Sequence, residues 1–156
     1  MGEKAAGTTV DGVLAALAEP GRTLAQSVRA AVLALGGVQE RLIVDYDVQD
    51  ESPAFYVGAR QLCHVHPAND RVEVTVSLSR SLTFTVLAAK DVPEGIRGVV
   101  ERTKEYGATR WVTVRVERAE DVPGLLAFLL HKHRYLYQGE DELAIPKDQT
   151  TLEKFE

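Results

Sequence analysis

The feature that most constrains the fold is a change of hydrophobic period at Gly36-Gly37. Before it, Leu24, Val28, Ala31, Val32 and Leu35 recur at helical spacing. After it the period becomes two. Leu42, Val44 and Tyr46 alternate with Arg41, Ile43 and Asp45; Phe55 and Val57 follow Pro53; Cys63 and Val65 flank His64; and Val72, Val74, Val76 and Leu78 alternate with Glu73, Thr75 and Ser77. Each run reads as a half-buried strand. The gaps at Gly58-Ala59-Arg60 and Ala68-Asn69-Asp70 are short and have turn chemistry. A parallel pairing needs a crossover of about a dozen residues or more, so these strands must be antiparallel neighbours.

On either side of the strands the pattern is helical. Thr9 caps a short helix carrying Val13, Leu14 and Leu17, which stops near Pro20-Gly21. Thr23 caps the second helix, and Gly36-Gly37 ends it. Leu82 to Ala88 reads as a further strand, Pro93 to Tyr106 as a helix ended by Gly107, and Arg110 to Glu117 as a strand. Asp121 to Tyr137 reads as a closing helix with Leu125, Leu126, Phe128, Leu129 and Leu136 as its apolar positions. This order predicts an α+β domain: an antiparallel sheet of five to six strands with helices packed on one face. Residues 1–9 form a polar leader, 10–138 a single domain, and 139–156 an acidic C-terminal tail beginning Gly139-Glu140-Asp141-Glu142.

With 156 residues, one core suffices without disulfides or a structural metal, and the single Cys63 has no partner to bond. The longest apolar run, Ala30 to Val38, falls well short of the roughly 20 residues of a spanning helix. Met1 to Thr9 lacks a signal-peptide pattern, so a cytoplasmic chain with no membrane role is expected. The formal charge of −5 argues against a nucleic-acid partner. Segment 90–134 nevertheless carries more basic than acidic residues, and contact with nucleic acid through it is the alternative function.

An antiparallel sheet covered on one face leaves the other to solvent. The interleaved residues assigned to that open face are Arg41, Ile43, Asp45, Asp47, Tyr56, Leu62, His64, His66, Glu73, Thr75, Ser77, Trp111, Thr113 and Arg115. An indole there exposes a large apolar area for no folding benefit. Either Trp111 caps a sheet edge or lies under the tail, or it anchors a binding platform with Tyr56 and Arg115. On a strand, His64 and His66 share one face about 7 Å apart. Asp45 and Asp47 have the same spacing, and two carboxylates beside two imidazoles suit a divalent metal such as iron or zinc. His131 and His133, two apart on a helix, lie about 200° from each other and cannot chelate from one face.

Lys132, His133, Arg134, Tyr135 and Tyr137 mix charge with aromatics at the end of the last helix. Cations there complement the helix dipole while their stems cover apolar surface, and the same set could contact phosphate or stack a base. Glycine-rich phosphate loops, a G-x-S-x-G elbow and a C-x-x-C pair are absent. Ser77, Ser79 and Ser81 have no base nearby in sequence, and Cys63 falls on the inward face as a small hydrophobe. Using His64 or His66 as acid or base would need a second catalytic group, and none stands at a diagnostic spacing.

The run Ala34-Leu35-Gly36-Gly37-Val38-Gln39-Glu40, then Asp45-Tyr46, Phe55-Tyr56-Val57-Gly58, Cys63-His64-Val65-His66-Pro67 and Arg71 to Leu78 resembles the small bacterial YdhG-type domains of unknown function. Glu120-Asp121-Val122 with Leu125, Leu126 and Leu129 looks like their closing helix. The resemblance covers roughly Leu24 to Tyr137 and implies a frataxin-like fold and a non-catalytic domain whose relatives are associated with iron handling. Frataxins hold iron through acidic residues on the first helix and first strand. Here Thr23 to Leu35 contains no Asp or Glu, and Glu40, Asp45, Asp47, Asp50 and Glu51 are what remains of such a ridge. The relatives lack a segment like Ala88 to Tyr106 at this length. The expected function is therefore a non-catalytic binding domain that takes a metal, a small ligand or a protein partner on the open sheet face.

Overall fold

The computed structural model describes residues 9–45 and 50–143. In chain order the elements are α1 (Val10–Ala15), α2 (Gly21–Leu33), β1 (Val38–Asp45), β2 (Asp50–Val57), β3 (Arg60–Pro67), β4 (Val72–Ser79), α3 (Arg80–Ala88), α4 (Glu94–Arg102), β5 (Glu105–Tyr106), β6 (Thr109–Val116) and α5 (Val122–Leu143). The strands form one six-stranded sheet in the order β1-β2-β3-β4-β6-β5, antiparallel throughout. The α+β class follows from the chain's alternation. Val72, Val74, Val76 and Leu78 of β4 and Val112, Val114 and Val116 of β6 are buried beneath the helices, with Leu24, Val28, Phe128 and Leu129 packed in the same core. Each such side chain stabilises the fold by about 1.5–3 kcal/mol through apolar burial. No helix among the described residues is long and apolar enough to cross a membrane.

Local chemistry explains most boundaries. Thr9 Oγ1 accepts the Gly12 amide at 3.0 Å and opens α1 as expected. Thr23, expected to cap α2, lies inside it. The helix starts at Gly21, and the Glu19 carboxylate accepts both the Thr23 amide (3.0 Å) and the Thr23 hydroxyl (2.9 Å). Gly21 is needed at that start because a Cβ there would stand 1.7 Å from the Ala68 carbonyl oxygen in the β3–β4 turn. Gly36 and Gly37 have φ of 93° and 66°, the left-handed exit the sequence implied. Arg29 ties the first layers together, donating to Glu40 at 2.6 and 2.8 Å and pairing with Asp11.

Three expectations are corrected. Leu82 to Ala88 is helical, because Ser79 Oγ caps the Leu82 amide at 3.2 Å and Leu82 and Val86 bury one face. The Thr83 and Thr85 hydroxyls donate back to the Ser79 and Ser81 carbonyls at 2.8 and 3.1 Å, so these β-branched residues sit in the helix with partners. The helix expected over 93–106 stops at Arg102. There the Arg110 guanidinium donates to the Val100, Glu101 and Thr103 carbonyls, and Glu105-Tyr106 turns back through Gly107 and Ala108 as a hairpin onto β6. The closing helix, expected over Asp121 to Tyr137, runs from Val122 to Leu143.

Candidate functional site

The open face is organised by how far each ladder runs. Between β4 and β6, pairing extends over the full length, from Val72–Val116 to Ser79–Thr109. Between β3 and β4 it runs from Pro67–Val72 to His64–Thr75 and stops. At the unpaired end β3 carries a bulge: Phe55 faces Cys63 while the next residue, Tyr56, faces Gln61, which leaves Leu62 as the extra residue. Leu62, assigned to the open face by parity, is therefore fully buried, and Gln61 takes its place outward, donating to Tyr56 Oη at 3.3 Å.

Where the two strands part there is a cavity of about 340 Å³. This is within the size range of small-molecule sites. Tyr56 and Trp111 border it from the open face, Arg60 and Gln61 from the start of β3, and Ser77 and Ser79 from β4. Leu82, Lys132, Tyr135 and Leu136 close it from the helices. Lys132 projects from α5 and is only 5% exposed, and its Nζ donates to Ser77 Oγ at 3.0 Å. The Ser79 hydroxyl donates to Tyr135 Oη at 3.2 Å. A cation withdrawn from water is costly unless its surroundings are polar, and these hydroxyls provide such surroundings. Beside it, burial pushes the Cys63 thiol up to about 12, with the Lys132 charge opposing weakly. Cys63 is thus a packed thiol and not a nucleophile.

Trp111 sits opposite Ser77 and is 50% exposed at the cavity rim. Tyr56 stands across the same cavity, with the Arg41 guanidinium 4.5 Å from its ring centre. Two of the expected platform residues are thus brought together. Arg115 is not with them: it faces Glu73 further along β6, pairing with Glu73 at 3.2 Å and Glu117 at 3.5 Å. His64 and His66 share the open face, opposite Thr75 and Glu73, with ring centres 4.1 Å apart. Asp45 lies on β1, separated from β3 by β2, which is two strand spacings or about 10 Å. Asp47 lies outside the described residues. Among the described residues no three His, Cys, Asp or Glu side chains converge to hold a metal ion.

Several side chains of segment 90–134 that could carry positive charge hold the fold together. Arg97 donates to the Val92 carbonyl, Arg110 caps α4, Arg118 pairs with Asp121, and His131 bonds Asp91 at 2.9 Å. His133, read from the sequence as part of a charged and aromatic set at the helix end, is buried and bonds the Gly36 carbonyl at 2.8 Å. Lys132, read from the sequence as a helix-end cation whose stem covers apolar surface, is placed inside as a whole. Its signal was present: it falls four residues after Phe128, three after Leu129 and four before Leu136, on the apolar stripe of α5.

No family model matches the chain, and neither a curated protein nor a solved structure shows significant similarity to it.

Proposed function

We propose that this domain is a non-catalytic small-ligand binding module whose site is the cavity between the diverging ends of β3 and β4. The observation that carries this reading is Trp111. An indole left half in water gains nothing for the fold, whereas beside a cavity of ligand size it offers a flat face for stacking. Tyr56 opposite it supplies a second ring, and the hydroxyls of Ser77, Ser79 and Tyr135 supply convergent polar groups. The walls thus mix aromatic rings and the two leucines Leu82 and Leu136 with placed polar atoms that can orient a ligand.

Trp111 is the chain's single tryptophan, so its emission reports on this site alone. Planar aromatic fragments are expected to alter Trp111 emission and to show saturation transfer by NMR. Trp111→Ala and Tyr56→Ala should each weaken the NMR signal while leaving the fold intact. Fragments that transfer equally well to the wild type and to both variants would show that binding, if any, lies elsewhere.

A second reading, a divalent ion held by His64 and His66, is favoured by the short distance between their rings. Its test is a melting curve across Fe(II), Zn(II) and Co(II). At a hundredfold excess over Kd the stabilisation would be about 2.7 kcal/mol. Identical responses from the wild type and from the His64→Ala, His66→Ala double variant would overturn it.

A further inference from the structure

We infer that the occupant of this cavity is a flat ring system with carbonyl oxygens on its inward edge, a conclusion that rests on the small-ligand reading above and adds the chemistry of the ligand. A hydroxyl has one proton to give and two lone pairs with which to accept. Ser79 Oγ accepts the Leu82 amide at 3.2 Å and gives its proton to Tyr135 Oη at 3.2 Å. Tyr135 therefore receives, and its own proton is left over. Ser77 Oγ receives from Lys132 Nζ at 3.0 Å, and Tyr56 Oη receives from the Gln61 amide at 3.3 Å, so each of these hydroxyls keeps its proton as well. Among the described residues the hydroxyl protons of Ser77, Tyr56 and Tyr135 have no acceptor. All three side chains line the cavity.

Donors and acceptors left over are not equivalent. An oxygen with one unused lone pair is tolerated, whereas an O–H shut away from water without an acceptor loses its whole hydration. Solvent accepts these protons while the cavity is open. An occupant that displaces the solvent must accept them in its place or bind weakly. A carbonyl oxygen, with two lone pairs, takes two such protons and needs no charge of its own. Ser77 on β4 and Tyr135 on α5 are joined to the inner hydrogen bonds of Lys132 and Ser79, while Trp111 stands half exposed at the rim. This order places the carbonyl edge inward, toward Ser77 and Tyr135, and the flat apolar body against the indole.

The test compares coumarin with 2H-chromene, the same bicycle without the carbonyl, by chemical-shift titration of the full chain. Both probes are neutral, so the comparison reads acceptor atoms and not charge. Coumarin is expected to bind about tenfold more tightly, since its carbonyl takes protons that the hydrocarbon edge leaves unpaired. In the Ser77→Ala, Tyr135→Phe double variant the two affinities should fall within about threefold of each other, with 2H-chromene retained. Retention of 2H-chromene, with an unchanged far-ultraviolet spectrum, shows that the variant is folded; if it is not, the two single variants replace it, and each should narrow the difference. Equal affinities in the wild type overturn the carbonyl assignment and leave the cavity reading standing. A preference for coumarin that is undiminished in the variants also overturns it. Binding of neither probe at millimolar concentration overturns both readings.

Discussion

The packing around Cys63 makes a quantitative prediction at alkaline pH. The thiol is fully buried on β3 beneath α5, and burial raises its pKa from the ordinary 9.0 to about 12. Below pH 9 the thiol is neutral whether the chain is folded or unfolded, and its contribution to stability is fully present. Between the two values the unfolded chain loses this proton while the folded chain keeps it, so stability falls as pH rises. The slope is about 1.36 kcal/mol per pH unit, and the full difference is about 4 kcal/mol, reached near the folded value. Urea unfolding of the wild type and of Cys63→Ala at intervals from about pH 8 to pH 11 measures it, because all other groups titrate equally in both proteins. The wild type should lose stability relative to the variant across this range. The variant itself should start lower by roughly 1 kcal/mol, the result of a small cavity. Parallel curves would refute the argument, as would rapid native-state labelling of Cys63 by a disulfide reagent at about pH 8.

Three further outcomes are expected. Asp91→Asn should lower the melting temperature at neutral pH, since the hydrogen bond from His131 holds the Asp91 carboxyl below its usual range; because that stabilisation is present above the ordinary value and lost as pH falls through the depressed one, melts of the two proteins should converge in strong acid. Arg110→Met strips the C-terminal carbonyls of α4 of their donor and should cost about 1.5–3 kcal/mol in urea unfolding, with faster amide exchange in α4 and β5 than in β1 and β2. Gly21→Ala sets a methyl against the Ala68 carbonyl and should cost about 1–3 kcal/mol by thermal melting, whereas Gly95→Ala, where a Cβ would meet nothing within 4 Å, should cost nothing measurable.

Much of the architecture was legible before the structure. Alternation with period two is a local property, and it alone assigned Val72, Val74, Val76 and Val112 to the core and His64, His66, Tyr56 and Trp111 to the opposite face, as the ladders show. Short turns at Gly58 and Ala68 made the neighbours antiparallel for the same local reason. Leu82 to Ala88 failed because its residue types favour a strand, while the capping hydroxyl that makes it a helix stands one residue upstream of that helix, at Ser79.

What the tertiary structure decided is the site. Nothing in β3 or β4 taken singly says that their ladder ends at His64–Thr75, since the end is set by the bulge at Leu62 relative to Phe55 and Tyr56 on a third strand. Lys132 and Ser77 are 55 residues apart, and only the docking of α5 across the parted strands places the ammonium beside the hydroxyl. Periodicity tells a residue which side of its own element it occupies. Where that side stops being covered depends on how long-range pairings terminate, and it is there that Trp111, Tyr56 and Lys132 meet.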